Sequence, residues 1–176
     1  MVYVGPAISL ATVPASIPNS IKGLILGLTG MATLALFPLI LWRIKRLAIP
    51  QPVLPILAIL AAPLALLITS SIKSGQRPDT ILLVGLLVFS QLFFFFALGL
   101  FAKLVKKGFV PLFAAFSFPL VNSVNAFKAA TTSLKLVNPM THLIYLAELL
   151  PVLAIMVYLL YHFLKLLYTA LMQAKC

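Results

Sequence analysis

The charged residues of this chain fall in a few clusters and leave long stretches with none. Met1–Asn19, Gly23–Trp42, Leu47–Ile72, Thr80–Ala102 and Gly108–Phe127 carry no charge, and Val137–Leu164 carries only Glu148. A helix needs roughly 20 apolar residues to cross the hydrocarbon core of a bilayer, and these stretches have that length. A helix of a soluble domain needs a wet face and does not spare charge in this way. The pattern predicts an all-α, polytopic membrane helix bundle forming a single transmembrane domain over residues 1–176. Six spans are expected, at about 2–20, 24–42, 52–71, 81–105, 109–127 and 140–167, in a multi-pass protein of the cell membrane.

Composition excludes several alternatives. Charged residues make up 9% of the chain, against about 25% in ordinary globular proteins. Strands of a membrane barrel alternate apolar and polar residues, which Leu92-Phe-Phe-Phe-Phe-Ala-Leu98 does not do. The start of the chain has no positive charge, and Pro6, Pro14 and Pro18 interrupt it, so a signal peptide is not expected. Cys176 is the one cysteine, which excludes a disulfide framework or a cysteine metal site. The net charge of +11 has no soluble domain to place on nucleic acid. Lipid headgroups and permeating anions are its expected partners.

Orientation follows the positive residues. Arg43, Lys45, Arg46, Lys103, Lys106, Lys107, Lys165 and Lys175 follow alternate spans, while Lys22, Lys73, Arg77, Lys128 and Lys135 occupy the other loops. The tight clusters all lie on one side, which places both termini in the cytoplasm. The clusters recur about every sixty residues, so a two-span unit is repeated and the bundle is read as three helical hairpins.

The two members of each unit differ. The first members are rich in Pro, Ala, Ser, Thr and Asn, and Pro63 and Pro119 fall near mid-span. A proline there removes a backbone hydrogen bond and kinks the helix, and the freed carbonyl belongs against protein or a wet path rather than lipid. The second members are dominated by Leu, Ile, Val and Phe. Trp42 marks an inner boundary, Gly23, Gly27 and Gly30 offer a close-approach face, and Ser74-Gly-Gln-Arg-Pro-Asp79 makes a polar turn. Kinked helices inside and greasy ones outside is the expected arrangement.

Groups for catalysis are scarce. The acids are Asp79 and Glu148, and His142 and His162 lie twenty residues apart. None of these pairs has catalytic or metal-ligand spacing, so no enzyme, metal or cofactor is expected. Glu148, about nine residues into the last span, is either a proton site or a carboxyl neutralised by a neighbouring helix. On the fifth span, Phe118, Asn122 and Asn125 share a face, with Ala114 and Ala115 one turn before. One ring among small residues beside two amides suits a constriction. The competing reading packs Phe118 between helices and uses the amides as interhelical bonds.

Ser90-Gln-Leu-Phe-Phe-Phe-Phe96, Lys106-Lys-Gly108, Phe116-Ser-Phe-Pro119 and Tyr3-Val-Gly-Pro-Ala7 together resemble the tellurite-resistance/dicarboxylate transporter family. That family takes in the TehA-like bacterial proteins, fungal malic acid transporters and plant slow-type anion channels. The resemblance implies a five-hairpin ring of ten spans, with Pro-kinked inner helices around a pore and Phe118 as its gate. It also implies anionic cargo, either small inorganic anions or dicarboxylates, and trimers. This chain matches the last six spans, so either it is a fragment or other chains complete the ring. A proton-coupled dicarboxylate carrier and a truncated, non-transporting structural remnant are the alternatives.

The orientation is directly testable. In intact cells, a membrane-impermeant thiol reagent should leave Cys176 unlabelled until the membrane is permeabilised. With Cys176 replaced by Ser, a cysteine at Ser74 should label from outside.

Overall fold

The computed structural model describes residues 18–46, 51–73 and 79–173, which are helical throughout with short connections. Helix α1 is Asn19–Arg46. A 3-10 segment, Gln51–Ala61, runs directly into α2, Ala62–Lys73. Helix α3 is Thr80–Val105. A second 3-10 turn, Pro111–Phe116, runs into α4, Ser117–Ser133, and α5 is Pro139–Gln173. The first predicted span, about 2–20, lies outside the described residues except for its last three, as does most of the turn Ser74–Asp79.

Local chemistry sets the ends. Asp79 caps α3, its carboxylate accepting from the Ile81 N–H at 3.4 Å. Gly108, at φ 102°, turns the chain out of α3 in a conformation that costs glycine little. At the start of α5, Asn138 Oδ1 accepts from the Thr141 N–H at 2.8 Å, while Thr141 Oγ1 accepts from the Asn138 N–H at 3.0 Å. This reciprocal pair satisfies orphan donors, and Pro139 stands where a missing N–H costs nothing. Within helices, hydroxyls turn back on their own backbone, as in Thr29 to the Ile25 carbonyl (2.7 Å) and Thr33 to the Thr29 carbonyl (2.8 Å). Such bonds give these hydroxyls a partner where lipid supplies none.

Among the described residues, four helices are long and apolar enough to cross a bilayer: Ser20–Ile40, Leu54–Lys73, Thr80–Val105 and Pro139–Gln173. The chain is therefore a membrane protein. The fifth expected span, 109–127, is not among these. Its α-helical part has 17 residues and carries Asn122, Asn125, Lys128, Thr131 and Thr132. Helix α5, at 35 residues, is about 52 Å long at ~1.5 Å per residue. It runs well past the expected 167 and exceeds the roughly 30 Å hydrocarbon thickness.

Burial separates the spans sharply. Leu54–Lys73 is 78% buried, whereas the other three are 11–22% buried. Its most extensive contact is with α4. Small side chains are fully buried on both helices, Ala62 and Ala65 on α2 and Ser123, Ala126 and Ala130 on α4, and Ala65, Ala126 and Ala130 share one cluster. Removing bulk lets two backbones approach, which matters in lipid because water gives no hydrophobic drive to associate. Around this seam, Phe94, Phe101, Phe113, Phe116, Val152 and Ile155 belong to one core cluster.

Helix α1 is the loosest element. Its main contact is with α2, through a face on which Lys22, Thr29 and Thr33 are buried. A methyl group added at Gly27 or Gly30 would meet nothing within 4 Å, so these glycines do not support a close approach among the described residues. Arg46 sits over the Trp42 ring at 4.2 Å, a pairing suited to a headgroup boundary.

Enlarging the α2–α4 seam should force it apart. Ala65→Leu or Ala126→Leu should cost about 1–3 kcal/mol and lower the melting temperature in detergent, while Ala102→Leu on an exposed surface should change it little.

Candidate functional site: the exposed face of α4

Proline residues 56 positions apart stand at equivalent places in the two central segments. Pro63 is the second residue of α2 and Pro119 the third of α4, and each helix follows a 3-10 stretch. Because proline lacks an N–H, the chain changes helix type at the residues where a regular α-helical bond is lost. Both prolines are buried. The polar side chains around Pro119 bond to nearby carbonyls. Ser117 Oγ donates to the Ala114 carbonyl (2.7 Å), Ser123 Oγ to the Pro119 carbonyl (3.0 Å) and Asn122 Nδ2 to the Phe118 carbonyl (2.9 Å).

One side of this helix is packed and the other is open. Pro119, Leu120, Ser123, Val124, Ala126 and Phe127 are buried, while Ala114, Phe118, Val121, Asn125 and Lys128 are exposed. The exposed residues recur every three or four positions and form one stripe, with Ala115 and Asn122 half-buried at its edge. Of the five residues expected on one face, Ala114, Phe118 and Asn125 lie on the exposed stripe and Ala115 and Asn122 lie at its edge. Farther along, Lys128 Nζ lies 5.3 Å from the Tyr145 ring centroid.

Phe118 differs from its neighbours in sequence. Phe113 and Phe116 are fully buried and stack with Phe101, at ring-centroid distances of 5.7 and 5.2 Å. Phe109 stacks on His162 at 4.7 Å and Tyr158 joins the same cluster. The Phe118 side chain is 51% exposed and stacks on no aromatic ring among the described residues. It does not fill the aromatic core.

Glu148 sits elsewhere. Although α5 is mostly exposed, Glu148 is buried at 4% exposure, with the Gln91 amide of α3 beside it. Sequence reasoning did not single out Gln91, yet two signals point to it. It is the only side-chain amide in α3, and it stands 57 residues before Glu148. Two aromatic contacts between the greasy helices have a similar offset: Phe37 meets Phe93, 56 residues on, at 4.9 Å, and Phe101 meets Tyr158, 57 residues on, at 5.8 Å.

No family model, curated protein or solved structure matches this chain.

If Phe118 has no packing role, its removal should be mild. Phe118→Ala should change stability by less than about 0.5 kcal/mol. Phe116→Ala, which empties a filled site, should cost about 3 kcal/mol, read as a large loss of melting temperature in detergent.

Proposed function

We propose that this chain is part of an anion-conducting membrane protein of the cell membrane, with the exposed face of α4 lining the path and Phe118 obstructing it. The observation that carries this reading is the open, unstacked ring of Phe118 on a helix whose opposite side is tightly packed. A large apolar side chain left out of the core beside two amides has the make-up of a steric or dewetting constriction. Asn122 and Asn125 line the path next to it, Ala114 and Ala115 keep it open one turn earlier, and Pro63 and Pro119 bend the two inner segments. The amides offer N–H donors to a passing anion without a fixed buried cation. The excess of Lys and Arg at the membrane boundaries raises the local anion concentration.

The resemblance to the tellurite-resistance/dicarboxylate transporters supports the same assignment and supplies the cargo class, small inorganic anions or C4-dicarboxylates. In that arrangement the segments 51–73 and 111–133 are inner helices of hairpins in a five-hairpin ring, and α1, α3 and α5 face lipid. Helices beyond those described, or further copies of the chain in a trimer, complete the enclosure. A proton-coupled dicarboxylate carrier is the second reading, favoured by a buried carboxyl at Glu148.

The test is flux into liposomes. Phe118→Ala should raise chloride or malate flux roughly tenfold or more over the unmutated protein, as expected when a pore-blocking ring is removed. Equal, background-level flux for both proteins would remove the conduction assignment. Proton uptake that accompanies malate entry would favour the carrier.

A further inference from the structure

Buried polar atoms in a membrane bundle need partners, because lipid supplies none. Among the described residues, four buried side-chain atoms have no hydrogen-bond partner: Ser90 Oγ, Gln91 Nε2, Gln91 Oε1 and Glu148 Oε2. Three of the four belong to two side chains that lie beside one another across the α3–α5 contact. The arrangement has a specific chemical deficit. An amide offers N–H donors at Nε2 and an acceptor at Oε1, whereas an ionised carboxylate only accepts. Against a carboxylate, Gln91 Nε2 can be satisfied, but Gln91 Oε1 is left facing a second acceptor. One proton on Glu148 Oε2 removes the mismatch. Oε2–H then donates to Gln91 Oε1 while Glu148 Oε1 accepts from Gln91 Nε2, closing a two-bond ring.

We propose that Gln91 and Glu148 form an intramembrane proton-binding site, in which a protonated carboxyl pairs edge to edge with a primary amide and ties α3 to α5. Its ligand is the proton, and the pair is its acceptor. Loss of the proton leaves acceptor against acceptor and weakens the contact between the two helices, so occupancy of the site is coupled to their packing. The site stands apart from the α4 face and does not depend on the chain conducting anions.

The electrostatic surroundings are sparse. Helix α3 has no titratable side chain from Thr80 until Lys103. The packed 3-10 turn Pro111–Phe116 has none. Helix α4 contributes Lys128, whose Nζ rests over the Tyr145 ring, and α5 itself contributes Tyr145 one turn away. Ser90, fully buried one residue before Gln91, is not needed for the pair.

The scarcity of acids makes the test clean, since Glu148 is the only glutamate in the chain. Infrared spectra of the full chain in liposomes at neutral pH, with and without carboxyl-13C glutamate, should contain a carboxylic-acid C=O band that moves on labelling. Gln91→Met, close in shape but unable to pair, should shift that band toward the position of a free acid. Glu148→Gln, whose amide can make both bonds to Gln91, should abolish it, and Asp79→Asn should leave it in place. The isotope comparison requires no variant to fold. Absence of a label-sensitive acid band overturns the site, and a band whose position ignores Gln91→Met overturns the pairing.

Discussion

Close approach of two backbones at the seam between α2 and α4 organises the rest of this structure. In lipid, apolar side chains gain little by leaving their surroundings, so helices associate through packing and through polar groups that find partners. Alanine and serine at Ala62, Ala65, Ser123, Ala126 and Ala130 provide the packing. The larger aromatic residues then fill the space around the seam, where Phe116 meets Phe101 and Phe113 edge to face. Such geometry suits ring quadrupoles and holds the neighbouring helices at fixed distances.

The seam also explains why one face of α4 is left open. With Pro119, Ser123 and Ala126 buried and Ala126 packed with Ala65 and Ile68 of α2, the helical period of about 3.6 residues carries Phe118, Val121 and Asn125 to the other side. The hydroxyl and amide groups near the proline bond locally, so the change from 3-10 to α geometry leaves few loose polar groups. A side chain excluded from the core by this geometry, yet large and apolar, is available for a task other than packing. That availability links the fold to the proposed obstruction of an anion path.

The buried carboxyl is a separate matter. A charged group inside a bundle is costly and usually functional, and Glu148 is buried with the Gln91 amide beside it. Its neighbour Gln91 converts an isolated expense into a matched pair once a proton is present. The two sites occupy different interfaces, one on an open helix face and the other between α3 and α5. Changes at one therefore need not disturb the other.

The sequence by itself determined the membrane class and the all-helical character of the chain, and it located the long apolar segments that α1, α3 and α5 occupy. These follow from local quantities: charge-free length and hydropathy. It also places Pro63 and Pro119 56 residues apart, each near the start of an α-helix that follows a 3-10 stretch. Only the tertiary structure decided that Phe116 is buried while Phe118 is not, that an added methyl at Gly27 or Gly30 meets no neighbour among the described residues, and that Glu148 points inward from an exposed helix beside Gln91. Each of these depends on which side of a helix meets which partner. In a span that is apolar all round, sequence periodicity does not mark that side, and packing between helices fixes it instead.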